Sequence, residues 1–139
     1  MCTRWGLSGW KVYGTYRTKS PAVKALTKIG IKLVHCDLSD VASIHDACST
    51  LRKECSRWDV LVMCPGTQEP VGAFIDSSFD EWEKSLKVNF SSQLRIIHEM
   101  LPSRHVKAKL NPIVLLFAGG GTNNRLRGFS SNPFPPVVE

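Results

Sequence analysis

Arg17 and Lys19 set two cations within three residues of each other, just past a run of β-forming residues, Trp10 to Tyr16. A guanidinium fork matches phosphate oxygens in pairs, and a nearby ammonium adds a point charge. The plainer reading of Arg17 is a solvated charge at a strand end. Asp37, with Leu38 and Asp40, follows a second β-rich run, where a carboxylate can cap the next helix. Cys64-Pro65-Gly66 closes a short apolar run. Asn89 lies inside a long helical pattern, where asparagine is a mediocre helix former. It is either a solvated amide or one kept for a contact. Gly119-Gly120-Gly121 offers backbone N–H groups to an anion, or simply makes the turn beside a ligand edge.

Several chemistries drop out. The five cysteines (Cys2, Cys36, Cys48, Cys55, Cys64) form no C-x-x-C pair and are odd in number, so neither a zinc ribbon nor a disulfide framework is indicated. Reduced thiols in a cytoplasmic setting are expected. Cys64 has no basic partner nearby in sequence and reads as a small buried hydrophobe. His35, His45, His98 and His105 lack ligand spacing. The formal charge of +6 is spread along the chain without a basic block, which argues against nucleic acid as a partner. No apolar h-region opens the chain, and no apolar run approaches the ~20 residues that span a bilayer.

These residues need elements to hold them. Val60 to Met63 is a short Val-rich run broken by Pro65-Gly66, the mark of a strand buried on both faces of a parallel sheet. Loops beyond the carboxyl ends of such strands are where open α/β sheets bind ligands. Trp10 to Tyr16, Ile31 to Cys36 and Ile113 to Ala118 complete a set of strands. Between them lie helices: one with Ser20 as cap, Pro21 at its first position and Gly30 after its end; one capped by Ser39 or Asp40. The longest begins at Ser78, with Glu81 completing a capping box. Phe79, Trp82, Leu86, Phe90, Leu94, Ile97 and Leu101 form its apolar face. Met1 to Gly9 shows no pattern. Alternation of strand and helix implies right-handed βαβ units and a doubly wound parallel sheet of about four strands. With 139 residues the chain is one modest domain, expected over 1–124, with an irregular or disordered tail over 125–139.

In this order and spacing, residues 10–122 resemble the short-chain dehydrogenase/reductase family. The resemblance implies a Rossmann-like domain with nucleotide cofactor NADP. In it Arg17 meets the 2′-phosphate, Asp37 and Leu38 contact adenine, and Cys64 and Gly66 stand where the family has Asn-Ala-Gly. Asn89 stands where the family has a catalytic asparagine that organises a proton relay. The activity implied is an NADP-dependent carbonyl reductase or alcohol dehydrogenase.

Three departures temper it. The family's first strand and glycine-rich loop would precede Trp10, and that strand would lie between Val12–Tyr16 and Val60–Met63, so cofactor binding is expected to be weak or absent. The serine position falls on Ala118 or Gly119. The Tyr-x-x-x-Lys pair is missing, since Tyr13 and Tyr16 are the only tyrosines and Lys109 the last lysine. The expectation is therefore a catalytically incomplete, truncated fragment. The alternatives are a noncatalytic nucleotide-binding or dimerisation remnant, associating through the long helix or an open sheet edge, or a non-functional product.

Overall fold

The computed structural model describes residues 2–107 and 111–117. The glycines at 119–121, both serine-position candidates (Ala118, Gly119) and the tail over 125–139 lie outside the described residues. The order is α1 (Cys2–Leu7), β1 (Tyr13–Tyr16), α2 (Pro21–Lys28), β2 (Lys32–His35), α3 (Val41–Glu54), β3 (Val60–Met63), α4 (Phe79–Leu86), α5 (Ser92–Met100) and β4 (Ile113–Leu116).

Local chemistry sets most of these limits. Ser20 Oγ accepts the Val23 N–H at 3.3 Å and Pro21 opens α2. Gly30 takes φ +86°, a left-handed turn past the helix end that glycine adopts without a side-chain clash. Asp40, not Ser39, caps α3, accepting the Ala42 N–H at 2.9 Å. At Ser78 the expected capping box does not form: its hydroxyl makes no cap bond. The hydroxyl of Ser77 instead takes the Trp82 indole N–H at 2.8 Å.

Cys2 to Gly9 is more ordered than the sequence suggests, because Cys2–Leu7 is helical and Trp5 packs against Trp10 with ring centroids 6.2 Å apart. That packing draws Trp10 out of the first strand, which starts only at Tyr13.

β1 pairs in parallel with β2, Tyr13 opposite Lys32, and β3 pairs in parallel with β4, Val60 opposite Ile113. The two pairs are not hydrogen-bonded to each other. They share one core. Ile44, Ala47, Cys48 and Leu51 of α3 meet Ile96 and Met100 of α5, with Cys36, Trp58 and Met63. Tyr13 and Val34 from one pair, and Leu61 and Val114 from the other, pack against the same cluster. Trp58 is fixed there by its indole N–H, which donates to the Met100 carbonyl at 2.8 Å.

Two expectations about burial fail. In β3 only Met63 is buried, and Val60, Leu61 and Val62 are half-covered, because among the described residues the strand pairs on one side only, with β4. The apolar stripe of the long helix is largely exposed: Phe79, Leu86, Phe90 and Leu94 are 45–65% accessible. The helix instead buries Ser85, Ser92, Gln93, Ile96 and Met100. Trp82 and Ile97 of the stripe are half-covered.

Candidate functional site

The loops after β1, β2 and β3 carry Arg17, Asp37 with Leu38, and Cys64 with Gly66. Tyr16 and His35, the last residues of β1 and β2, stand in register. Their rings meet edge to face at 5.7 Å and 77°, so Arg17 and Asp37 leave the sheet side by side. Asp37 Oδ1 accepts the Ser39 N–H at 2.9 Å and the Ser39 hydroxyl at 2.7 Å. Those two bonds hold its carboxyl below the usual aspartate range, with the Arg17 charge adding in the same direction. The Asp37 N–H donates to Ser43 Oγ at 2.9 Å.

The long helix grips both remaining loops. Lys87 Nζ donates to the Ser39 carbonyl at 2.7 Å, and Ser92 Oγ to the Leu38 carbonyl at 2.6 Å. The Leu38 side chain packs on the core. Asn89 Oδ1 accepts the Thr67 N–H at 2.8 Å, and its Nδ2 donates to the Thr67 carbonyl at 2.9 Å and to Ser85 Oγ at 3.1 Å. Gln93 Nε2 donates to the Pro65 carbonyl at 3.0 Å and to the Asn89 carbonyl at 2.9 Å. A π turn over Lys87–Ser91 makes this possible. The wider i→i+5 spacing spares a main-chain carbonyl for a side-chain donor, a local irregularity often found at working sites. Asn89 is thus bound at both ends of its amide and holds the loop after β3.

Cys64 is exposed at the end of β3, contrary to its reading as a buried hydrophobe. The chain turns outward there into Pro65-Gly66. The buried thiols are Cys36 and Cys48, and burial pushes Cys48 up to about 12. Gly66 is not demanded by its own backbone: a Cβ there would meet Asn89 Oδ1 at an ordinary 3.6 Å.

Sequence reasoning missed Lys87, Ser92 and Gln93. The available signal was the row of polar residues at Ser85, Asn89 and Gln93, four apart on one helical face. Among the described residues no group of three or more metal-ligating side chains gathers, and no helix is long and apolar enough to cross a membrane. An open cleft of about 400 Å³ between β2 and α3 is lined by Val34, His35, Asp40 and Asp46, and not by Asp37, Leu38 or the loop after β3.

Residues 3–123 match the model of a family described as enoyl-(acyl carrier protein) reductase. Among solved structures, a Serratia marcescens short-chain dehydrogenase/reductase double mutant is similar with TM-score 0.66 and 21% identity over 75% of this chain and 44% of that one. The enoyl-[acyl-carrier-protein] reductase (NADH) of Aquifex aeolicus gives 0.65 and 21% over 83% and 47%. The RhlG/NADP active-site complex of Pseudomonas aeruginosa gives 0.59 and 27% over 73% and 41%. The chain spans less than half the length of these solved structures. At this identity the first two show the fold, a partial Rossmann-like α/β arrangement. No curated protein matches.

Proposed function

Since the chain belongs to the short-chain dehydrogenase/reductase family, we propose that it is a nucleotide-binding part of an NAD(P)-dependent oxidoreductase and favours NADP. The observation that carries this reading is the joint gripping of the loops after β2 and β3 by one helix, beside Arg17 and Asp37.

The donor set fits a phosphorylated adenosine. Arg17 is exposed and set beside Asp37, with Lys19 two residues on. Its fork would hold the 2′-phosphate, and Asp37 would accept from the adenine amine. Lys87 and Ser92 fix the loop that carries Asp37, and Asn89 and Gln93 fix the loop at Cys64 to Gly66. When bound, the nicotinamide supplies hydride transfer. Asn89 is a positioning residue here. Proton transfer in the family rests on a serine, a tyrosine and a lysine, and the only tyrosines of this sequence are Tyr13 and Tyr16. The proposed role is therefore binding without turnover by this chain alone.

Titration of the purified chain, followed by nucleotide fluorescence, tests the reading. NADPH should bind more tightly than NADH. Arg17→Ala should remove about tenfold of that preference, the equivalent of ~1.4 kcal/mol, a value near the low end for a charge-assisted hydrogen bond because the site is open to water. Equal affinities that Arg17→Ala leaves unchanged would sink the assignment. Turnover of any carbonyl substrate above an inactivated control would overturn the noncatalytic part.

A second reading, an association module, is favoured by the exposed stripe of Leu86, Phe90 and Leu94 on the long helix. It is compatible with the first.

A further inference from the structure

We propose that the cavity at the amino end of β3 binds the phosphate group of a small phosphorylated molecule.

The cavity has a volume of about 220 Å³ and lies between two segments far apart in sequence. Ser56 and Arg57 come just before β3, and the stretch from Ser103 to Lys107 follows α5. Trp58 joins the two. Its N–H donates to the Ser103 carbonyl at 3.1 Å, and its carbonyl accepts the His105 N–H at 2.9 Å. The Trp58 ring is buried in the core, with its indole N–H on the Met100 carbonyl. Both walls are therefore seated on the core before any ligand arrives. The loop with Cys64 and Gly66 leaves the opposite end of β3, so this cavity is separate from the candidate nucleotide site.

Charge sets the sign of the ligand. Arg57, Arg104 and Lys107 line the cavity, and no carboxylate does. Among the described residues none of these three cations is in an ion pair. Asp59, beside Trp58, is taken up by His105: its Oδ1 stands 2.8 Å from the ring Nδ1. Three like charges around one cavity repel, and an anion between them relieves that repulsion.

The donors are partly set in advance. Arg104 Nη1 donates to the Leu101 carbonyl at 2.9 Å, which holds the guanidinium while its remaining N–H groups stay available. The main-chain N–H groups of Ser56 and Arg57 have no main-chain acceptor among the described residues. A phosphate monoester brings about −1.5 to −2 charge at pH 7 and three acceptor oxygens, enough for several of these donors at once. A carboxylate brings one charge and two oxygens in a plane. The volume is below the ~300–1,000 Å³ of pockets that enclose drug-sized ligands, which points to a small molecule. Nucleic acid would call for an extended basic stripe rather than one cavity. This inference does not depend on nucleotide binding.

Equilibrium dialysis of the whole chain against radiolabelled glycerol phosphate, at pH 7 and fixed ionic strength, tests it. Binding should saturate. Arg57→Gln and Lys107→Gln should each weaken it about fivefold or more, the loss expected for one charge-assisted hydrogen bond open to water. Neither side chain is in an ion pair among the described residues, so both variants should keep the circular dichroism of the parent. Lys28→Gln removes an exposed cation at the end of α2 and should bind as the parent does. Unlabelled inorganic phosphate should displace the label, and succinate at the same concentration should not. The proposal is overturned if binding does not saturate, if Lys28→Gln weakens it equally, or if succinate competes as well as phosphate. Loss on Arg17→Ala, with Arg57→Gln unaffected, would move the binding to the candidate nucleotide site and overturn it too. So would an oligothymidine that displaces the label at a lower phosphate concentration than inorganic phosphate does, because the cavity would then belong to a nucleic-acid surface.

Discussion

Asp37 shows how one side chain ties the candidate site to stability. Its carboxylate is held by Ser39 and favoured by Arg17, so its pKa in the folded protein lies below that of the unfolded chain. A depressed carboxylate contributes stability above its unfolded pKa, and that contribution is lost as the pH falls through the folded value. Asp37→Asn should therefore be less stable than the parent at neutral pH, and the two denaturation midpoints should converge in acid. A constant difference from pH 7 to pH 2 would contradict the assignment. The thiols separate by position in the same way. Cys64 is exposed, while Cys48 is buried and pushed up to about 12; thiolates, not thiols, alkylate. Peptide mapping after iodoacetamide at pH 8 should find Cys64 modified well before Cys36 or Cys48. Early labelling of Cys48 would mean that α3 is not seated on its core.

At the scale of elements, the π turn is the decisive feature. A regular helix through Lys87–Ser91 would spend its carbonyls on its own ladder, whereas here Gln93 reaches the carbonyls of Asn89 and Pro65. Gln93 is 6% exposed, and both of these bonds are partly buried. Gln93→Ala should cost about 1–3 kcal/mol, the usual penalty for leaving a buried polar group unpaired. It should also loosen the loop after β3, seen as faster amide exchange at Thr67. A loss below ~0.5 kcal/mol, the scale of ordinary surface substitutions, would show that the amide is not needed there. The adjacent Asn89 makes the same point. Its type and mid-helix place drew notice in the sequence, but its bonds run to a loop 22 residues away.

For the whole molecule, two features oppose a robust monomer. Each of the four strands pairs along one edge only among the described residues, and Leu86, Phe90 and Leu94 form an apolar stripe open to solvent. The chain should run at a concentration-dependent mass in size-exclusion chromatography with light scattering, and melt below the ~45–65 °C typical of mesophile domains or without cooperativity. Phe90→Glu should shift the mass toward monomer, because a charge placed in a self-associating apolar face must be desolvated. A monodisperse monomer with a cooperative transition above ~55 °C would show that the strand edges and the stripe are covered in solution.

Local signals in the sequence were enough for α2, α3 and β3. Ser20-Pro21 and Gly30 punctuate one helix, Asp40 caps another, and the Val60–Met63 run matches its strand to the residue. Each depends on neighbours a few positions away, the range over which capping, turn geometry and periodicity act. The sequence also placed Arg17, Asp37, Cys64 and Asn89 at strand ends or on the long helix, through element order and family resemblance. It could not say which face of that helix is covered. The stripe from Phe79 to Leu101 is the more apolar face, yet Ser85, Ser92 and Gln93 are buried beside Ile96 and Met100, because hydrogen bonds compensate their burial: those of Ser92 and Gln93 run to loops distant in sequence, and that of Ser85 to Asn89. The exposure of Cys64, the pairing of strands two by two, and the grip of Lys87, Ser92, Asn89 and Gln93 are likewise tertiary. They depend on which segments meet in space, and hydrophobic periodicity along the chain carries no record of that.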